Sequence, residues 1–277
     1  MHQRLLPAAL SIVVLWLAAT AVPLRADTGE IAILVLKEHG VGSPALAQPY
    51  VDRFMVLAAQ QNGWAGATGQ YLNSRSAVPA YVEAHDPHYG MFSLAAFLAL
   101  RKKYRLEVIG RVASTLAGGG QYFVVSKAAR DLGGCKGRTL ASDHTDDARF
   151  VERVVARHQF RLADFQLLQN RRPLQSIHQL MTGETDCALI DDAQLAELQH
   201  LEGAADVRVV WKSEPLPPMA VVAFPAAPAA ERKAFKASLR GLCQEEPAKA
   251  ACKEVGIQSL DAAGARDYAD VVSLYGG

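Results

Sequence analysis

The sequence predicts an α/β fold with mostly parallel strands, divided between two lobes. Short apolar runs such as IAILVL (31–36) alternate with stretches of helical apolar spacing. This alternation is typical of buried parallel strands joined by crossover helices. Two segments interrupt it, the triple glycine 118–120 and the proline-rich stretch 213–218. We expect the chain to cross between the lobes at these two places, which would leave a cleft around a hinge.

The first lobe is predicted from the apolar run 31–36, which suits a buried first strand, and from the helical spacing of apolar residues in 50–61. Ser93 is in the N-cap position of an alanine- and leucine-rich helix. The other elements predicted here are strands at 69–72, 88–92 and 106–113 and helices at 76–84 and 93–103.

The second lobe is predicted from a further set of strands and helices, after which the apolar run 219–224 and the helices beyond Pro228 return to the first lobe. Its strands are expected at 121–126, 139–141, 186–190 and 207–211, and its helices at 147–158, 174–182 and 193–201. We therefore expect a signal peptide at 1–26, a discontinuous first lobe made of 27–118 and 213–277, and a second lobe at 119–212.

The first 26 residues have the order of a secretory signal: a basic start, an apolar core from Leu5 to Ala21, and a small residue, Ala26, at the end. The alternative is an uncleaved anchor, for which this core lies at the short limit. Cleavage removes two of the 29 basic side chains and none of the 28 acidic ones. A near-neutral mature chain offers no electrostatic case for binding nucleic acid. We expect a periplasmic monomer.

Four cysteines in an exported chain favour disulfide bonds. Cys243 and Cys252 flank a short segment and are the first pair we expect. Cys135 and Cys187 each lie beside a predicted strand, and either form a second bond or remain buried thiols. The cysteines have no spacing typical of a zinc site.

Motifs for catalysis are absent from the sequence: it contains no GxSxG, HExxH, GxxxxGK[ST] or GxGxxG. We therefore expect no enzyme and no cofactor. Four histidines invite a metal-site interpretation: His39, His85, His88 and His144. We interpret them as scattered and solvated and expect no metal; if a metal binds, His144 with the acidic residues around it is the preferred site.

The segment from Leu132 to Arg153 carries the main indication of function. A glycine-punctuated turn leads into the short apolar run 139–141, then into a polar elbow, Ser142–Asp147, and a helical pattern from Ala148. Open α/β sheets bind small ligands where a strand hands over to a helix, since free backbone N–H groups point outward there. The sequence thus predicts capture of a small molecule outside the cytoplasm.

The order of segments over roughly 31–243 resembles the phosphate/phosphite/phosphonate-type periplasmic solute-binding proteins of ABC importers. The resemblance rests on HYGMFSLAAFLAL, GGGQYFVVSK, LGGCKGRTLAS, HQLMTGETDCALIDD and VVWKSEPLPPMAVVA. It implies the type 2 periplasmic binding fold and capture of a small polar solute, phosphonate- or phosphate-like, for an ABC permease. The alternatives are a ligand-sensing component or a degenerate interaction module that acts with a membrane signalling partner.

The elbow departs from the family pattern. There the elbow usually carries a run of hydroxyl residues and a glycine that holds a phosphonate, whereas this chain reads SDHTDD. Three carboxylates would repel a dianion, so we predict that a cationic or zwitterionic solute binds more tightly than a simple phosphonate. Asp146 and Asp147 have an alternative role, since acids in a first turn complement the helix dipole.

Closure of the two lobes, as the resemblance implies, would bring together four loops, 37–43 and 90–93 from the first lobe and 142–146 and 191–192 from the second. Ser93 and Asp191 have the alternative role of plain helix caps, Tyr122 that of interlobe packing, and Met91 and Phe92 that of core. The predicted ligand contacts are Met91, Phe92, Ser93, Gln121, Tyr122, Ser142, Asp143, His144, Thr145, Asp146 and Asp191.

Overall fold

The computed structural model describes residues 30–39, 43–114, 118–254 and 256–276. The predicted signal peptide lies outside this part of the chain. None of the helices described here has the length and apolar character needed to span a bilayer.

The first sheet has the strand order β11-β4-β10-β3-β1-β2. Strand β1 is parallel to both β2 and β3, while β10 is antiparallel to β3 and β4, and β11 is antiparallel to β4. The strands are β1 (Ile31–Leu36), β2 (Ala67–Leu72), β3 (Tyr89–Phe92), β4 (Glu107–Ser114), β10 (Met219–Ala223) and β11 (Ile257–Ala262).

The second sheet has the order β7-β6-β8-β5-β9. Here β6 is parallel to β7 and β8, and β5 runs antiparallel to β8 and β9. The strands are β5 (Tyr122–Ser126), β6 (Thr139–Ser142), β7 (Gln166–Gln169), β8 (Cys187–Asp191) and β9 (Arg208–Lys212). We call the parts of the chain built on the two sheets the first and second lobes.

The α-helices connect the strands and cover the sheets. A π-helix, Phe150–Val155, stands where the sequence predicts an α-helix over 147–158. The α-helices are α1 (Pro44–Asn62), α2 (Val78–His85), α3 (Leu94–Leu100), α4 (Gln175–Thr182), α5 (Asp192–Leu198), α6 (Ala229–Ser238), α7 (Ala248–Glu254) and α8 (Ala269–Gly276). The predicted α/β class with two sheets is confirmed, with mixed parallel and antiparallel pairing in each sheet.

Two connections join the lobes. The chain leaves the first sheet after β4 and enters the second at β5, and it returns between β9 and β10. The connections run side by side, because Leu216 N–H donates to the Gly120 carbonyl and Ser213 N–H to the Tyr122 carbonyl, each at 2.8 Å. Helix α8 then packs against the π-helix of the second lobe, so the C-terminal segment also reaches across.

Buried apolar side chains form one continuous cluster from the first sheet to the second. It includes Leu34 of β1, Phe92 of β3, Val124 of β5 and Phe150 of the π-helix, all at most 3% exposed. A second cluster lies beneath α1 and α6. The lobes therefore share a core at the point where both connections cross.

Both disulfide bonds form, and none of the four cysteines is a free thiol. Cys135–Cys187, the β8 disulfide, links a turn before β6 to the start of β8 with a Cα–Cα distance of 6.1 Å. Cys243–Cys252, the C-terminal disulfide, closes the segment that runs into α7.

Candidate functional site

A cleft of about 90 Å³ lies between the lobes. Its walls come from the residues that follow β1, β3, β6 and β8, from β4 and from both connections. The parallel strands of each sheet thus present their carboxyl ends to the same space, where α/β sheets commonly bind ligands.

The first-lobe wall carries a cation and a hydroxyl. Lys37 follows β1, and burial lowers the pKa of its ammonium while the charge of Asp191 opposes that shift. In the described part of the chain no carboxylate lies within ion-pair distance of Lys37. Ser93 is at the N-cap position of α3, but its side chain makes no capping bond, and its buried Oγ has no hydrogen-bond partner among the described residues.

The second-lobe wall is acidic. Asp191 caps α5 by accepting the Gln194 N–H at 2.9 Å, and burial raises the pKa of its carboxyl, with the nearby His144 opposing the shift. The Asp192 carboxylate accepts the Gly120 and Gln121 N–H groups at 2.9 and 3.3 Å. This wall therefore faces Lys37 with opposite charge.

Gly118 is required where the first connection passes this wall. Its φ is +66°, and a Cβ at this position would lie 2.1 Å from Oδ2 of Asp191. Any side chain here would displace the carboxylate, so the glycine both accepts the left-handed backbone and lets Asp191 reach the cleft.

The polar elbow uses Ser142 and Asp143 below the surface of the cleft. The Ser142 hydroxyl donates to the Leu189 carbonyl at 2.7 Å and accepts the His144 N–H at 3.1 Å. Gln194 then joins three parts of the site. Its Nε2 donates to Asp143 Oδ1 at 2.9 Å, while its Oε1 accepts the Asp191 N–H at 2.9 Å and lies 3.0 Å from His144 Nε2.

His39 of the first lobe reaches the elbow. Its Nδ1 lies 3.5 Å from Asp143 Oδ2, its Nε2 lies 3.6 Å from Asp146 Oδ1, and its ring centroid is 4.6 Å from that of His144. Burial alone would raise the pKa of Asp143, but His144, His39 and Gln194 hold it at about 2. Burial would lower the pKa of His39, yet its contact with Asp143 raises it. The expectation of solvated histidines is therefore wrong for these two, which are 20% and 3% exposed at their side chains.

Arg75, from the turn before α2, ties the lobes together at the rim. It donates through Nε and Nη2 to Glu38 at 2.7 and 2.6 Å, and through Nη1 to Asp147 at 2.7 Å. The Tyr275 hydroxyl also donates to Asp147, at 3.0 Å. The negative charge of Asp147 is thus compensated by Arg75 of the other lobe, and Asp147 does not line the cleft.

The predicted contacts divide into those that line the cleft and those that do not. Ser93, Tyr122, His144 and Asp191 line it. Gln121 donates to the Ser213 carbonyl at 2.7 Å. Thr145 is buried and Asp146 is exposed at the rim, and neither lines the cleft. Three more are buried beside it, Met91 and Phe92 in the first sheet and Asp143 behind the two histidines, and with Ser142 they support the walls.

Several residues of the site escaped the sequence analysis. Lys37 lies in the loop 37–43 that was expected at the cleft, but it was not singled out as a ligand contact, and Gln194 gives no local signal. Arg75 finds its partners only through the arrangement of the two lobes.

Comparison with known proteins places this geometry in a family. The model of the family described as "ABC transporter, phosphonate, periplasmic substrate-binding protein" matches residues 72–268. No protein with a curated description matches the sequence.

Solved structures share the fold at low sequence identity. The binding protein component of an ABC phosphonate transporter from Pseudomonas aeruginosa has a TM-score of 0.66 and 12% identity, over 90% of this chain and 86% of its own. PhnD1 from Prochlorococcus marinus, in complex with methylphosphonate, has a TM-score of 0.65 and 8% identity, over 90% and 97%. XAC2383 from Xanthomonas citri, bound to ATP, has a TM-score of 0.70 and 10% identity, over 89% and 96%.

Proposed function

Since the chain belongs to the family of periplasmic substrate-binding proteins of phosphonate ABC transporters, we propose that its cleft captures a small zwitterionic solute, such as an amino-substituted phosphonate or sulfonate. The observation that carries this proposal is the opposition of Lys37 on one wall to Asp191 and Asp192 on the other.

The acidic end of the solute faces the first lobe. The ammonium of Lys37 and the hydroxyl of Ser93 supply the attraction, since among the described residues the first has no carboxylate within ion-pair distance and the second has no hydrogen-bond partner. Hydrogen bonds to charged groups contribute about 1.5–3 kcal/mol each. An anionic group between these two side chains therefore satisfies both.

The cationic end of the solute faces Asp191 and Asp192. One oxygen of each carboxylate is engaged by backbone N–H groups, which leaves the other for a ligand. A like charge 4 Å away costs about 4 kcal/mol at the dielectric of a protein surface. A simple dianion meets this repulsion unrelieved, whereas an ammonium group on the solute turns it into attraction. The carboxylates that carry this argument are those after β8, because the elbow acids are occupied elsewhere.

Binding and release are the whole activity in this proposal. The protein acts as a monomer in the periplasm after cleavage at its signal peptide, makes and breaks no bond in the solute, and presents it to a membrane permease. Affinity depends on contacts to both lobes, so the solute shifts the population toward the closed form.

A matched pair of solutes tests the proposal: ethylphosphonate and 2-aminoethylphosphonate differ only in the ammonium group. We expect isothermal titration to give at least tenfold tighter binding of the amino compound, and Asp192→Asn to reduce that preference. Lys37→Met should weaken both solutes, while Lys127→Met, at an exposed strand end, should weaken neither. Equal or tighter binding of ethylphosphonate would refute the zwitterion proposal.

A further inference from the structure

His39, Asp143 and His144 form a compact set of metal-ligating side chains. One ring nitrogen of each histidine and one carboxylate oxygen of Asp143 all lie within 4.8 Å of one another. His39 follows β1 of the first lobe, and the other two follow β6 of the second. Two imidazoles and one carboxylate are a donor set that suits Zn²⁺ and neighbouring first-row divalent ions.

The distances between these groups are close to those that an ion requires. Bonds of about 2.0–2.1 Å in a tetrahedral site separate neighbouring ligand atoms by about 3.3 Å. Asp143 Oδ2 lies 3.5 Å from His39 Nδ1, and Asp143 Oδ1 lies 3.5 Å from His144 Nε2. One ligand atom from each residue lies within 4.8 Å of the others, so side-chain shifts of at most about 1.5 Å bring the set to the spacing that an ion requires.

Asp143 gives a separate indication that a cation binds here. Its side chain is only 2% exposed, and its Oδ2 is buried with no hydrogen-bond donor among the described residues. His39 Nδ1, at 3.5 Å, is an ionic contact without hydrogen-bond geometry. A buried carboxylate oxygen without a donor is costly, and a metal ion at this position removes that cost.

Gln194 supplies the outer support that metal ligands usually need. Its Nε2 donates to Asp143 Oδ1, so the amide fixes the orientation of that carboxylate. Its Oε1 lies 3.0 Å from His144 Nε2, so an ion binds His144 either through Nδ1 or through Nε2 once that contact is released. Asp191 Oδ2, 4.0 Å from His144 Nε2, and Asp146 Oδ1, 3.6 Å from His39 Nε2, add negative charge around the set.

We infer that His39, Asp143 and His144 bind a divalent transition-metal ion that bridges the two lobes beside the solute cleft. His39 and His144 both line that cleft, so a fourth coordination position is open to water or to the acidic group of a solute. The inference goes beyond the proposed function, since it concerns an ion and not the solute, and metal binding is measured with no solute present.

The test uses untagged protein purified from the periplasm and freed of metal with a chelator. We expect isothermal titration with Zn²⁺ to give one site per chain, and Co²⁺ to give visible absorption bands that Zn²⁺ abolishes. His39→Ala and Asp143→Asn should each weaken Zn²⁺ binding at least about 100-fold, since loss of an outer-shell group alone costs 10–100-fold. His178→Ala removes an exposed imidazole on α4 and should leave binding unchanged.

The outcomes separate the parts of the inference. Asp143→Asn is nearly isosteric and keeps an acceptor for Gln194, and circular dichroism verifies its fold. Unchanged Zn²⁺ affinity in both His39→Ala and Asp143→Asn would overturn the site. Loss of binding in Asp143→Asn alone would place the ion on the second lobe and overturn the bridge. Titrating 2-aminoethylphosphonate into metal-free protein tests the solute proposal independently.

Discussion

Replacing Arg75 with alanine removes the guanidinium that joins the lobes at the rim of the cleft. The side chains of its two partners, Glu38 and Asp147, are only 5% and 9% exposed. In Arg75→Ala, Glu38 loses both charge-assisted bonds and keeps the backbone N–H of residue 75 at 3.3 Å, whereas Asp147 keeps the Phe150 N–H and the Tyr275 hydroxyl. The destabilisation therefore comes mainly from the carboxylate of Glu38, which loses its countercharge.

The expected magnitude follows from this burial. Removing one partner of a buried ion pair costs about 3–5 kcal/mol, and the 24% exposure of Arg75 admits some solvent screening. We expect Arg75→Ala to lower the free energy of unfolding by about 3 kcal/mol. Arg53 makes a contact of the same length, 2.7 Å, with Glu254, but these side chains are 55% and 41% exposed. Arg53→Ala should therefore cost less than about 1 kcal/mol.

Urea unfolding followed by tryptophan fluorescence measures both variants, since Trp64 lies in the core of the first lobe and Trp211 on β9 of the second. A double-mutant cycle of Arg75→Ala with Asp147→Asn isolates the contact between the lobes, and we expect a coupling energy of about 1.5 kcal/mol or more. If Arg75→Ala cost no more than Arg53→Ala, burial would not determine the strength of this contact.

Three further predictions concern the rest of the fold. Replacing both cysteines of the β8 disulfide with alanine should lower the free energy of unfolding by about 4 kcal/mol, and the same change at the C-terminal disulfide by about 2.5 kcal/mol. The difference arises because the bonds close loops with sequence separations of 52 and 9 residues. Equal losses in urea unfolding would contradict the loop-length argument. Hydrogen bonds from Thr139 lower the pKa of Asp186, so this carboxylate stabilises the fold above its unfolded pKa of about 4 and loses that effect as the pH falls through the folded value. Asp186→Asn should therefore reduce the loss of unfolding free energy on acidification. An unchanged loss would argue against the hydrogen bonds. Gly118→Ala and Gly137→Ala both place a Cβ at positive φ, but only the Cβ at residue 118 meets a carboxylate, since nothing lies within 4 Å of a Cβ at residue 137. Only Gly118→Ala should therefore weaken solute binding in titration. Equal affinities in the two variants would remove Asp191 from the site.

The fold was largely predictable because buried strands carry their signal locally. The runs 31–36 and 219–223 are apolar throughout, and glycine and proline mark both connections. The strands β7 and β11 were missed because each lies at a sheet edge and is partly exposed, with polar residues in Gln166–Gln169 and Ile257–Ala262. The π-helix gives no composition signal that separates it from an α-helix.

The candidate site was predictable only where strand ends define it. Ser93, Tyr122, His144 and Asp191 lie at the ends of strands or directly beyond them, and the structure brings them to one cleft. The pairing of His39 with His144 depends on how one lobe meets the other, which no local pattern encodes. The sequence therefore led to solvated histidines, whereas the structure puts both rings against Asp143.

The elbow explains how this chain departs from its family and still keeps the fold. The Ser142 hydroxyl donates to the backbone of the neighbouring strand, and the Asp147 carboxylate binds Arg75. The Asp143 carboxylate contacts Gln194 and His39. Each of the three supports a wall or a contact between the lobes. The elbow therefore has no run of free hydroxyl groups to hold a phosphonate. In the proposed function the charges of Lys37, Asp191 and Asp192 set selectivity, so exchanging them should change the preferred solute, while substituting Ser142 or Asp147 should change how firmly the lobes close.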